Sequence, residues 1–161
     1  HKLAAGLSLP EENVEKFRYS INQHCILKEE DFEQVYYIDG QLPFDFISID
    51  GVEELDIMHP FGTSNTKPIF GTKNLSCRNI RFLGENKTIV AMELVDKSGN
   101  SNRAIMFNGG DRIEDILLRK NYSKENCRDA EINIDALYTL EINEYKEYRN
   151  VQLNIKDFRE I

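Results

Sequence analysis

Near the end of the chain, Val151, Leu153 and Ile155 alternate with Gln152, Asn154 and Lys156. A period of two suits an extended strand with one buried face and no helix. Strand-like runs also occupy Cys77–Leu83, Thr88–Val95 and Asn102–Phe107. Between them lie Gly84-Glu85-Asn86-Lys87 and Asp96-Lys97-Ser98-Gly99-Asn100, rich in residues that tolerate turn backbones. Gly109-Gly110 then breaks the rhythm, and Asp111–Lys120 changes to helical spacing, with Ile113, Ile116 and Leu117 on one face. Asp135–Glu144 and Asn150–Asp157 are strand-like again. The order is three strands, one helix, two strands.

That order predicts an α+β class. It fits the five-stranded oligonucleotide/oligosaccharide-binding barrel, the OB-fold, with its helix between strands three and four. Other small α+β folds share the order. Before residue 70 the rhythm differs. Pro10 and the two glutamates after it predict a helix to about His24, carrying Val14, Phe17 and Ile21. Glu29–Asp31 reads as an acidic turn and Val35–Ile38 as a strand. Asp45 to about Met58 reads as mainly helical, His59–Asn65 as a loop, and Ile69-Phe70 as extended.

Charge divides the chain at the same place. Residues 1–70 hold five Lys/Arg against thirteen Asp/Glu, and residues 71–161 hold fifteen of each. The whole net charge of −8 therefore lies in the first part, leaving room for a local basic face in the second. Cys25, Cys77 and Cys127 are odd in number and far apart, which predicts reduced thiols in a cytoplasmic protein. No apolar run has the length of a membrane helix, and no signal-peptide pattern is present.

Four segments, in order, resemble the RecJ family. His1-Lys2-Leu3-Ala4-Ala5-Gly6 resembles the end of the Gly-Gly-His-x-x-Ala-Ala-Gly motif of its DHHA1 domain, without the glycines. His59–Phe70 resembles the family's Pro-Phe-Gly-x-Gly-Asn-Pro-x-Pro-x-Phe joint, with Ser64 and Thr66 in place of a Gly and a Pro. Asn79–Lys87 resembles the first strand and turn of its OB domain, and Val151–Asp157 the last strand. The resemblance implies a partial DHHA1 segment with its joint over 1–70 and an OB domain over 71–161. It also implies a parent enzyme that degrades single-stranded DNA from the 5′ end by metal-dependent phosphodiester hydrolysis, in DNA repair and recombination. The parent's Mn or Mg ions are expected on an upstream DHH domain whose motifs this sequence lacks. No catalytic residue, metal ligand or cofactor is expected in this chain, and the chain alone is expected to be inactive.

The residues themselves agree with that division. Two-metal hydrolysis needs carboxylates and histidines converging on ions roughly 3.5–4 Å apart. Glu11-Glu12, Glu29-Glu30-Asp31 and Glu53-Glu54 are adjacent residues, which diverge on a helix and read as solvated faces. His24-Cys25 has no second ligand pair nearby. Strand binding needs aromatic platforms for bases and cations for phosphates. The candidates are Arg78, Arg81 and Phe82 on the first strand, Lys87 in the first turn, and Arg103 and Phe107 on the third strand. Tyr145, Lys146, Tyr148 and Arg149 join them in the last hairpin, and His1 and Lys2 through the DHHA1 resemblance. Arg78 and Arg81 differ in parity, so they share a face only if a bulge lies between them. Phe82 and Phe107 suit a core as well as a platform.

Two functions compete. The first is single-stranded DNA binding, sensitive to salt. The second is a protein-interaction module that brings the nuclease to a single-strand binding protein or a helicase. Another DHHA1-bearing phosphoesterase or a tRNA-editing protein fits less well, because of the joint and the OB-like segment.

Overall fold

The structure, a computed structural model, describes residues 5–161, apart from the side chain of Tyr145. Contacts divide the chain into two compact units between Tyr36 and Tyr37. The first holds a 3-10 turn at Glu11–Asn13, helix α1 (Val14–Gln23) and a second 3-10 turn at Glu29–Phe32. Val14, Phe17 and Ile21 do recur on one face of α1, yet all three are exposed, as are Ile26, Leu27 and Phe32.

The second unit begins with a two-residue strand, β1 (Gly40–Gln41), which pairs in parallel with Phe70 and Gly71. The strand expected at Val35–Ile38 does not form; that stretch has no ladder partner, and pairing starts at Gly40. The expected long helix over 45–58 breaks into a 3-10 turn at Phe44–Phe46, helix α2 (Ile49–Glu54) and a 3-10 turn at Leu55–Met58. Ser48 sets the start of α2 by accepting a hydrogen bond from the Gly51 N–H at 3.1 Å. Phe44 and Val52 are buried with the barrel residues, and Leu42, Ile47 and Leu55 pack against them. Residues 37–70 therefore share a unit with the barrel, although the charge step lies at residue 70.

The barrel strands are β2 (Phe70–Leu83), β3 (Ile89–Val95), β4 (Ser101–Met106), then helix α3 (Gly110–Arg119), β5 (Ile132–Tyr145) and β6 (Tyr148–Glu160). Their order is β2-β3-β4-β6-β5, and β5 pairs back onto β2 to close the ring. β4 and β6 run parallel, and the other barrel pairs are antiparallel. This is the five-stranded OB barrel with its helix between the third and fourth strands. Alternation fills it: Val90, Met92 and Leu94 from β3, Ala104 and Met106 from β4, Leu153 and Ile155 from β6. β2 and β5 are longer than the sequence predicted. β2 keeps pairing through Asn74 by a bulge, since Asn74 sits at φ 57, a left-handed backbone that asparagine tolerates.

The two ends of the β5–β6 hairpin are covered differently. Near its turn, α2 packs on both strands, and Phe44 meets the fully buried Tyr138 edge to face at 6.3 Å. The Tyr138 hydroxyl is 2.8 Å from Thr72 Oγ1, which in turn donates to the Leu42 carbonyl at 3.0 Å, so the buried phenol is satisfied. At the other end, α3 inserts Ile113, Ile116 and Leu117, while Arg112 Nη1 reaches Asp157 at 2.7 Å and its guanidinium lies over the Phe158 ring. The first residue of α3 must be small. A Cβ at Gly110 would sit 2.5 Å from the Lys87 carbonyl oxygen.

Candidate nucleic-acid interface

Because the buried residues of β3, β4 and β6 alternate, their neighbours point outward together. Cross-strand register sets Arg78, Glu93, Arg103 and Gln152 in one row. Arg81, Ala91, Ile105 and Asn154 form the next. The required bulge is present. The register shifts between Arg78 and Arg81, with Asn79 at φ 51, so buried Cys77 and buried Ile80 are each followed by an exposed arginine. The result is a low, partly apolar floor of Ala91 and Ile105 flanked by two arginines and amide side chains. From Ser101 to Phe107 it extends about 20 Å at ~3.3 Å per residue.

The cations differ in how far they are committed. Arg78 Nη2 lies 2.9 Å from Glu131 Oε1, and its Nε donates to Ser76 Oγ. Hydrogen bonding and charge from Glu131 raise the Arg78 guanidinium further, and the same contact holds the Glu131 carboxyl below its usual range. Lys87 Nζ lies 2.9 Å from Glu125, which it likewise lowers through that hydrogen bond. Arg149 bridges Glu53 of α2 and Glu144 of β5, each at 2.7 Å. These pairs are exposed and add little stability in water, but each cation already faces a carboxylate. Arg81 and Arg103 have no hydrogen bond or ion pair with another described residue. Lys146 sits at φ 55 in the hairpin turn.

Of the aromatic candidates, Tyr148 is 77% exposed, at the hairpin turn. Phe82 packs against the core cluster, with Lys124 Nζ 5.3 Å from its ring centre, so it is wall more than platform. Phe107 stands outside the core at 51% exposure, immediately after β4. His1, Lys2 and the Tyr145 side chain lie outside the described residues.

One end of the face deepens into a groove of about 900 Å³ between the start of β4, the β5–β6 hairpin and Ile47–Ile49. Glu93, Asn102, Arg103, Asn143, Tyr148 and Asn150 are among the residues that line it. The Asn150 Oδ1 atom is buried there without a hydrogen-bond partner. The sequence reading passed over these asparagines. Asn150 shares its parity with Gln152 and Asn154 and faces Asn143 across the hairpin, local signals both, whereas Asn102 joins them only through the pairing of β4 with β6. The carboxylates on Arg78, Lys87 and Arg149 were also missed, being 53, 38 and 96 residues from their partners. Among the described residues no three His, Cys, Asp or Glu side chains converge to hold a metal ion, and no helix is long and apolar enough to cross a membrane.

A sequence model described as the RecJ OB domain matches residues 38–157. The chain is 30% identical over 159 residues to the single-stranded-DNA-specific exonuclease RecJ of Bacillus subtilis, covering 98% of this chain and 19% of that protein. It is also 30% identical over 156 residues to the protein of the same name from Haemophilus influenzae, covering 95% of this chain and 25% of the relative. The chain thus spans about a fifth to a quarter of the length of these relatives.

Proposed function

Since the chain belongs to the RecJ OB-domain family, we propose that its barrel binds single-stranded DNA along the outward face of β2, β3, β4 and β6. Arg81 and Arg103 meet phosphates, and Tyr148 and Phe107 stack bases at the two ends. The observation that carries this reading is the pair Arg81 and Arg103, set in adjacent rows of a face on which Arg78, Lys87 and Arg149 each meet a carboxylate. A flexible polyanion reaches them without first breaking an ion pair, with Glu93 in the row between Arg78 and Arg103. Such a face favours stacking and phosphate contact over a rigid duplex. Within the longer protein, we assign this binding to feeding a strand to a 5′-3′ exonuclease whose Mn or Mg ions sit on an upstream DHH domain. The residues before Tyr37 are assigned to the end of a DHHA1 domain, a reading supported by the motif at His1–Gly6.

Fluorescence anisotropy with a labelled oligonucleotide, titrated at several salt concentrations, tests this. Affinity falls with salt at a slope of about −0.7 per phosphate neutralised on a single strand. Arg81→Ala and Arg103→Ala each make the slope shallower by about 0.7, while Tyr148→Ala weakens binding by about 1–3 kcal/mol with the slope unchanged. Binding that ignores salt and both arginines refutes the assignment.

A second reading rests on the first unit. The exposed apolar side chains of Val14, Phe17 and Ile21 on α1 suit contact with protein, and a single-strand binding protein or a helicase is the partner class proposed for them. A pull-down that persists after Arg81 and Arg103 are replaced, and is lost with Phe17→Ser, supports it.

A further inference from the structure

The groove at the hairpin end of the face is more than a continuation of the phosphate track. Asn102, Asn143 and Asn150 line it together, and the Asn150 Oδ1 atom has no hydrogen-bond partner among the described residues. An amide both donates and accepts. The Asn150 oxygen is the most constrained, being shut away from solvent with no donor to meet it. A buried acceptor in that condition is unfavourable until a donor arrives. Beside it stand Arg103, which only donates, Glu93, whose carboxylate accepts, and the exposed ring of Tyr148. One buried unpaired amide oxygen and two solvent-facing amides beside an aromatic platform match the edge of a single unstacked nucleobase, because bases carry donors and acceptors side by side and expose a flat face. A phosphate, which only accepts, leaves the asparagine oxygens unmet.

We propose that this groove is a one-base subsite that selects a base with an exocyclic amino group beside a ring-nitrogen acceptor, as in cytosine or adenine. The amino group donates to an asparagine oxygen, Asn150 Oδ1 foremost after a small rotation of its amide. The ring nitrogen accepts from an asparagine N–H, and Tyr148 covers the base face. Thymine and uracil present a carbonyl where the amino group is needed and leave the buried acceptor unpaired. This rests on the single-strand binding reading above and adds base preference to it.

The test compares labelled oligo-dC, oligo-dU and oligo-dT dodecamers on this chain by anisotropy. Oligo-dC and oligo-dU differ in the two groups the subsite reads, an amino group and an N3 acceptor in cytosine against a carbonyl and an N3–H donor in uracil, while backbone charge is the same. The expected result is tighter binding of oligo-dC by about five-fold or more, the lower end of what a paired base edge contributes. Asn150→Ala removes the preference, bringing oligo-dC down to the affinity of oligo-dU. Asn143→Ala, at an exposed position whose loss leaves folding intact, reduces the preference in the same direction. Tyr148→Ala weakens all three strands alike. Equal affinities, or a preference that survives both asparagine variants, overturn the subsite while salt-dependent binding through Arg81 and Arg103 still stands. Failure of every strand to bind overturns the subsite and the binding reading together.

Discussion

Replacing Gly110 with alanine sets two physical effects against each other with opposite signs. Alanine favours a helix over glycine by up to ~1 kcal/mol, and Gly110 is the first residue of α3. On propensity alone the substitution stabilises. The structure argues the reverse, because the new Cβ would lie 2.5 Å from the Lys87 carbonyl oxygen and 3.1 Å from Thr88 Cα. Both are backbone atoms, so no side-chain rotation relieves the overlap. The helix start or the β2–β3 turn has to move, at an overpacking cost of about 1–3 kcal/mol. That movement also strains the hydrogen bond from the Gly110 N–H to the Thr88 carbonyl, now 3.2 Å, which is worth roughly 1 kcal/mol. Net destabilisation of about 2 kcal/mol follows, a fall in Tm on the order of 4–8 °C for a chain of this size. Thermal unfolding followed by far-ultraviolet circular dichroism reads it, with Gly62→Ala as the control, since nothing lies within 4 Å of a Cβ there. An unchanged or higher Tm for Gly110→Ala would show that the turn yields freely and that the close approach does not hold the helix in place.

Three further outcomes are expected. Replacing Glu53 and Glu144 together by glutamine frees Arg149, so oligonucleotide affinity at low salt rises and the salt slope steepens by up to about 0.7; an unaltered slope places Arg149 outside the DNA path. Burial pushes the Asp135 carboxyl up, but hydrogen bonds from the Asn74 N–H and Arg159, with the charges of Arg159 and Lys73, hold it below its usual value. Its contribution is therefore full above the ordinary carboxylate value of about 4 and is lost as pH falls through the lower folded value. Urea unfolding should show the deficit of Asp135→Asn at neutral pH shrinking below pH ~4, and a deficit independent of pH contradicts that. Among the thiols, Cys25 is exposed while Cys77 and Cys127 are buried, and burial pushes both buried thiols up. A thiol-reactive dye should titrate one group quickly in the native chain and all three in denaturant; fast labelling of two or more native thiols contradicts the packing.

Local pattern carried the barrel. The alternation of Val90, Met92 and Leu94, the helical spacing of Ile113, Ile116 and Leu117, and the turn residues between them are all properties of neighbouring residues, so they can be read in order along the chain. The need for a bulge between Arg78 and Arg81 was legible too, because strand parity is local, and the structure supplies it at Asn79. Residues 35–58 were misread for the opposite reason. Phe44, Val52 and Leu55 have no regular period; they are held by a barrel surface that forms from residues 70 onward. The same holds for the candidate site. Arg78, Lys87, Arg103 and Arg149 look alike as a list of cations, and only the closed barrel brings Glu131, Glu125 and Glu53 to three of them while Arg103 stays uncommitted. Periodicity is a short-range constraint and determined the strands. Which charges cancel, and which amides share a groove, depends on pairings far apart in sequence, and chain closure alone decides those.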